Sequence, residues 1–213
     1  MVKGPAVRST PRPRLNTERV LAAAVALADR EGPEALTVRR LADDLQVHAT
    51  SLYNHVPSKE AILDGVVERL LAEADLPADV ETWQSWIRAM AAALRGLARA
   101  HPGAFYVLTR RAADNPAAFR FSELGVAAFE RGGFSLLKAV QAVQAVSLAV
   151  LGLALNECPP PVDWVEPTPA QLEADGYPHL ARAAVELESV GLDQDGHWDT
   201  LVEALITGLA ATR

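Results

Sequence analysis

Cysteine is almost missing from this 213-residue chain. Cys158 stands alone, so no internal disulfide can form; a disulfide-stapled secreted module is excluded, and a reducing compartment fits. Aromatic residues make up 6% of the chain, and valine and isoleucine never gather into the short alternating runs that build sheets. No apolar leader opens the sequence, which points to a cytoplasmic protein. Metal-ligand spacing is absent too: His48, His55, His101, His179 and His197 form neither HxxxH nor HExxH, and no cysteine pair exists. There is no glycine-rich phosphate loop and no GxSxG elbow. Asp193-Gln194-Asp195-Gly196 resembles the start of a calcium loop but lacks the later ligands, so a solvated turn is expected. Cys158 has no activating neighbour in sequence and is expected to be a bystander. No metal, no cofactor and no catalytic constellation are therefore expected. What the chain has in quantity is 39 alanines and 28 leucines, about a third of all residues, with half the residues apolar. Such a composition favours helix and supplies a sizeable core, and the expected fold class is all-α.

Acidic residues outnumber basic ones by 27 to 20, a formal charge of -7 that argues against a nucleic-acid binder. Position changes that reading. Residues 1–60 hold nine Lys/Arg and seven Asp/Glu, a balance of +2, whereas residues 61–213 hold eleven and twenty, a balance of -9. Lys3, Arg8, Arg12 and Arg14 lie among Pro5, Pro11 and Pro13 with no acid nearby, so residues 1–15 read as a basic disordered arm. An ordinary frayed terminus accounts for them equally well.

After the arm, Asn16 can cap a helix with Val20, Ala24, Leu27 and Ala28 at helical spacing, ended by Gly32-Pro33. Thr37 is a second cap, opening a two-turn helix Val38 to Leu45 with Val38, Leu41, Ala42 and Leu45 on one face. A break at Gln46-Val47-His48 leads into a short segment from Ala49 to His55, and Ser58 caps a further helix. Two short helices across a tight turn make a helix-turn-helix. Its physical demands are a small residue where the helices cross, apolar anchors beside the turn, and polar groups facing outward. Ala42, Leu45, Val47 and Leu52 meet the first two; Thr50, Ser51, Tyr53 and His55 meet the third. From spacing alone, two surface helices of some other bundle remain an open alternative.

The helix over 58–75 is the natural link to the rest. A long helix from about Thr82 to Ala100 buries Trp83, Trp86, Met90 and Leu94 or Leu97, and the two tryptophans are expected in the core. Shorter helices follow around Ala104 to Ala112 and from Pro116, behind the candidate cap Asn115, to Arg131. Between Ala139 and Asn156 there is no charge, and only Gln141, Gln144, Ser147 and Asn156 are strongly polar. A helix buried on two sides, core and partner subunit, explains this better than a membrane span, which needs about 20 apolar residues and tolerates glutamine poorly. The Pro-rich stretch to Pro169 is expected to be a loop, and a final helix from Trp198 to Thr212 is expected beside the charge-free one. Two helices from each chain would then form a four-helix homodimer interface.

The run Leu36-Thr37-Val38-Arg39-Arg40-Leu41-Ala42, with Leu52-Tyr53-Asn54-His55-Val56 and Ser58-Lys59-Glu60, resembles the DNA-binding domain of the TetR family of bacterial transcription regulators. By that resemblance Tyr53 meets the DNA backbone, Lys59 adds a phosphate contact, and Thr37 and Arg39 lie near phosphate and bases. Arg39, Arg40 and Lys59 suit phosphate; His48, Thr50 and Ser51 suit base edges; Ala49 offers only a methyl contact to thymine. His55 is either a DNA contact or a structural histidine. Gln46 occupies a turn position usually held by glycine. Further on, Glu81-Thr82-Trp83-Gln84-Ser85-Trp86, Gly133-Phe134-Ser135-Leu136, Ala145-Val146-Ser147 and Leu151-Gly152 resemble the tetracycline repressor's ligand-binding and dimerisation domain. The positions that hold antibiotic and magnesium there fall on Asp75, Met90, Leu94 and Leu108 here, and the chelating histidine has become leucine, so a more apolar effector is implied. The expected effector contacts are Met90, Leu94, Phe105, Leu108, Gln144, Leu148 and Asn156. The resulting expectation is an arm over 1–15, a helix-turn-helix domain over 16–60, and an effector and dimerisation domain over 61–213. Its partners would be a palindromic operator duplex, a small molecule and a second copy, with no membrane. A helical interaction module that no longer meets DNA, and a pocket enzyme with a histidine base, stay open at this point.

Overall fold

A computed structural model describes residues 15–74, 76–77, 79–111, 115–158, 166–191 and 193–213. The basic arm, Asp75 and the prolines Pro159 to Pro161 lie outside them, apart from Leu15 at the arm's end. The described residues are helical throughout: α1 (Thr17–Glu31), α2 (Val38–Leu45), α3 (Ala49–Tyr53), α4 (Lys59–Glu73), α5 (Trp83–Ala100), α6 (Pro102–Arg111), α7 (Pro116–Arg131), α8 (Leu136–Leu155), α9 (Pro169–Ala174), α10 (Pro178–Val190) and α11 (Gln194–Ala210), with one 3-10 turn at Pro33–Ala35. The all-α expectation holds.

Helices α1, α2 and α4 begin where a side chain satisfies orphan backbone N–H groups, whereas α3 has no side-chain cap. Asn16 accepts from Arg19 N at 2.8 Å, Thr37 from Arg40 N at 3.2 Å and Ser58 from Ala61 N at 3.1 Å. Thr82 and Ser85 close a reciprocal capping box on α5. Gly32, at φ 85°, ends α1 in a backbone region that costs other residues about 1 kcal/mol or more.

Helices α1 to α4 share an apolar centre in which Val20, Ala24, Leu27, Leu52, Val66 and Leu70 are fully buried. The body is built on α5, α7 and α8, which pack against one another. Trp83 and Trp86 sit in its core, as expected. Trp86 stacks on Phe121 at 5.3 Å and Trp83 on Phe129 at 5.2 Å, while Phe134 meets both Trp83 and Phe129 edge-on. At Gly125 the absent side chain admits Trp86 and Val143 against the α7 backbone. Helix α6 joins the two parts, packing on α1 and α4 on one side and on α5 and α8 on the other.

Among the described residues α8 is the one helix long and apolar enough to cross a membrane. Its Ala139, Ala142, Val143, Val146, Val150 and Ala154 are buried in the bundle. Its other face leaves Leu137, Val140 and Leu148 exposed, and Leu201 is exposed on α11, which packs against α8.

Several expected boundaries shift. Helix α6 starts at Pro102, because proline at a first helical position lacks the N–H that would go unsatisfied there. The presumed turn at Asp193 is a cap: its carboxylate accepts from Gly196 N at 3.0 Å, so α11 starts at Gln194 instead of Trp198. Past the Pro-rich stretch, Thr168 and Gln171 form a capping box for α9, and Pro178 opens α10. These two helices pack chiefly against each other.

Candidate functional site

The turn between α2 and α3 is built by Gln46, which adopts a left-handed conformation (φ 57°, ψ 44°) and is the one non-glycine residue with positive φ among those described. Its N–H and that of Val47 return to carbonyls at the end of α2, bending the chain sharply. Leu41, Ala42 and Leu52 then lock the two short helices onto α1 from inside. What is left outside is the candidate nucleic-acid interface.

Of the ten residues singled out for DNA, Thr37, Arg39, Arg40, His48, Ala49, Thr50, Tyr53 and Lys59 are exposed, and Ser51 and His55 are half-buried. The backbone carbonyl of His55 accepts from the Thr17 hydroxyl, tying the end of α3 to the start of α1. Tyr53 is an exposed aromatic ring, 52% accessible, with no core to fill. Arg40 is held by a partner on another helix. Its guanidinium donates to Glu31, whose neighbour Arg30 bonds Asp44 at 2.6 Å, so a surface ladder crosses from α1 to α2. The hydrogen bond from Arg40 holds the Glu31 carboxyl below its usual range. This partner lies nine residues away on another helix, where no helical spacing reveals it.

A second feature lies in the body. A cavity of about 400 Å³ is lined by Leu71 and Leu76, by Met90 and Leu94 on α5, Leu108 and Thr109 on α6, Phe119, Phe121, Ser122 and Val126 on α7, and residues of α8. Helix α8 contributes two parallel rows at i, i+4, i+8: Val140-Gln144-Leu148 and Val143-Ser147-Leu151. No described residue in the lining carries a charge, and the polar groups are Thr109, Ser122, Gln144 and Ser147. A wall of this kind suits an uncharged, largely apolar molecule anchored by a few hydrogen bonds.

Five of the seven residues expected at an effector site, Met90, Leu94, Leu108, Gln144 and Leu148, line this cavity. Phe105 and Asn156 do not. Phe105 lies one helical turn nearer the start of α6 and is fully buried in the core. Asn156 stands beyond the end of α8, about 12 Å along the axis from Leu148 at 1.5 Å per residue. Phe119, Phe121 and Ser147 were not anticipated, although the rows along α8 follow from helical periodicity around Gln144. Among the described residues no group of three or more His, Cys, Asp or Glu side chains gathers where a metal could be held. Cys158 is buried at the end of α8, where desolvation pushes its thiol up to about 11.

Helix α6 connects the two features. Its C-terminal half supplies Leu108 and Thr109 to the cavity. Its N-terminus is capped by Asp29 of α1, whose Oδ1 accepts from Gly103 N at 3.1 Å and Ala104 N at 2.9 Å. Gly103 allows the contact, since a Cβ there would overlap the Ala28 carbonyl oxygen.

Residues 20–66 match the model for bacterial regulatory proteins of the tetR family, and residues 76–213 match that for the tetracyclin repressor-like C-terminal domain. An HTH-type transcriptional regulator of Saccharopolyspora erythraea is 34% identical over 98% of this chain and 90% of its own length. The tetracycline repressor protein class D of Escherichia coli is 36% identical over 68% of this chain and 67% of its own. Among solved structures, the TetR family protein ActR of Streptomyces coelicolor in complex with actinorhodin superposes with a TM-score of 0.74 at 26% identity, covering 94% of this chain and 99% of that one. The chain belongs to the TetR family of bacterial transcription regulators.

Proposed function

We propose that this chain is a cytoplasmic, homodimeric repressor that leaves a palindromic operator when a small, uncharged, largely apolar molecule fills the cavity of the body. The division of labour would be an arm over 1–15, a DNA-binding head over 16–60 and an effector and dimerisation body over 61–213. The observation that carries the reading is the reach of α6, which walls the cavity at one end and seats α1 at the other. An occupant pressing on Leu108 and Thr109 shifts a helix whose start is fixed to the head.

Dimerisation follows from the uncovered apolar face of α8 and α11, where Leu137, Leu148 and Leu201 meet solvent in a single chain. A second copy related by a two-fold axis covers that face with itself. Two heads then meet successive major grooves about 34 to 36 Å apart, which makes the operator palindromic. In each head Arg39 and Lys59 serve phosphate, Tyr53 meets the backbone, and His48, Ala49, Thr50 and Ser51 face bases. Arg40 joins them once it exchanges Glu31 for phosphate. The charge split supports this placement, because the -9 body keeps clear of DNA while the +2 head does not.

The apolar lining and the absence of a described carboxylate or histidine in it set this cavity apart from a magnesium-chelate site, since magnesium requires oxygen ligands in near-octahedral array. ActR, of the same family, is known with actinorhodin bound. An uncharged, largely apolar organic molecule with a few hydrogen-bonding groups is the effector class this cavity suits.

Selection of duplexes from a random DNA pool with the full-length protein tests the proposal. The expected result is enrichment of an inverted repeat. Enrichment of no sequence at any salt concentration would exclude an operator-binding role.

A further inference from the structure

His101, in the step between α5 and α6, bridges two carboxylates from different parts of the molecule. Its Nδ1 lies 2.8 Å from Asp29 Oδ2 on α1, and its Nε2 lies 2.9 Å from Glu73 Oε2 on α4. A neutral imidazole carries one N–H, so one of these contacts would set a lone pair against a carboxylate oxygen. Only the imidazolium donates to both. Joining α1, α4 and the start of α6 in this way therefore takes up one proton beyond those of a neutral ring between two carboxylates.

We propose that protonation of His101 locks the DNA-binding head onto the body, so that operator affinity of this regulator falls when the bridging imidazolium gives up its proton. The proposal rests on the operator-binding reading above. It concerns the same switch but a different input, a proton in place of a small molecule.

The surroundings favour His101 as the group that responds. From α1, Asp29 faces the ring, while Glu18 is engaged by Arg69 at 2.9 Å. From α4, Glu73 faces it, and Arg69 occupies the other Glu73 oxygen at 3.1 Å, leaving Oε2 to the ring. From α6, the N–H groups of Gly103 and Ala104 hold Asp29 Oδ1, leaving Oδ2 to the ring. Cys158, whose field reaches Asp29, stays an uncharged thiol because burial raises it to about 11. Both carboxylates are thus fixed by other partners, and each turns one free oxygen toward the ring. On deprotonation the remaining N–H serves one carboxylate and the bridge opens on the other side. The joint of α1, α4 and the start of α6, where head meets body, then loses a tie, and the two heads of a dimer become less well ordered for their half-sites.

The variant Glu73→Gln separates this effect from other titrations. Its amide nitrogen can donate to the open ring nitrogen of a neutral His101, while its oxygen still accepts from Arg69. The bridge then closes without the extra proton, and His48 and His55 remain in place as internal controls. Fluorescence anisotropy of a labelled, selected operator duplex between about pH 6 and pH 8 is expected to show wild-type affinity falling about fivefold or more beyond any change in Glu73→Gln, the low end of couplings between sites. Coincident pH profiles for the two proteins would overturn the proposal. Thermal unfolding without DNA supplies the second readout. The sign is that of a bridge present when His101 is protonated: wild-type Tm drops relative to Glu73→Gln as pH rises, and parallel Tm profiles also overturn the proposal. If neither protein binds any duplex while the Tm profiles diverge, the operator reading fails and the proton-dependent bridge stands.

Discussion

Replacing Gly103 with alanine tests the contact between α6 and the head. A Cβ built there lies 2.5 Å from the carbonyl carbon of Ala28 and 2.7 Å from the Cα of Asp29, and it overlaps the Ala28 oxygen. All three atoms are backbone, so no side-chain rotation relieves the clash. The start of α6 must retreat from α1 by roughly 1 Å to restore ordinary contact distances. Overpacking of this kind costs about 1–3 kcal/mol. The retreat also stretches the two bonds from Gly103 N and Ala104 N to Asp29, which at partial exposure contribute about 1 kcal/mol each. Against this, alanine gains at most about 1 kcal/mol over glycine in a helix. The net expectation is a loss of about 2–4 kcal/mol, read as a Tm lower by about 5–15 °C for a chain of this size at fixed protein concentration. Differential scanning calorimetry makes the measurement. An unchanged or raised Tm would refute the reasoning, because it would show that α1 and α6 do not meet as closely as described.

Gln46→Gly removes a left-handed non-glycine residue at the α2–α3 turn; relief of about 1–2 kcal/mol of strain, offset by unfolded-state entropy of up to about 1 kcal/mol, predicts a urea midpoint equal to or slightly above wild type. Glu31→Gln releases Arg40 from its ion pair, and the slope of log affinity against log salt for operator duplex should steepen by about 1.8, one added phosphate contact in each of the two heads of the proposed dimer. Glu157 is nearly buried; desolvation pushes its carboxyl up, but the bonds from Arg99 and Arg95 outweigh this and leave it below the usual range. A lowered carboxylate adds stability above its unfolded pKa of about 4.3 and loses it as pH falls toward the folded value, so acid unfolding of Glu157→Gln should lack that part of the wild-type pH dependence.

Much of the helical framework was legible because caps are local. Asn16, Thr37 and Ser58 announce their helices within three residues, and the structure starts α1, α2 and α4 just after them. Where one signal masked another, the sequence was a poorer guide. The prolines before Thr168 suggested a loop and concealed the capping box behind them, and Asp193 resembled a ligand loop while acting as a cap. Long-range partners were not legible at all. Asp29 and His101 are 72 residues apart and Arg95 and Glu157 62, so the joints between parts leave no spacing signal. The cavity falls between. Periodicity shows which residues share a face of α8, but only the packing of α5, α6 and α7 shows that Gln144 faces a void and Phe105 does not.

Effector control of this regulator requires that filling the cavity loosen the head from DNA. The direct measurement is anisotropy of a selected operator duplex, titrated with candidate aromatic effectors, for wild type and for Ser147→Phe, in which the added ring occupies the cavity. For wild type an effector is expected to weaken operator binding about fivefold or more. For Ser147→Phe the duplex should bind while the effector leaves it in place. An effector that releases both proteins equally, or one that binds the wild type tightly without changing its operator affinity, would contradict the account.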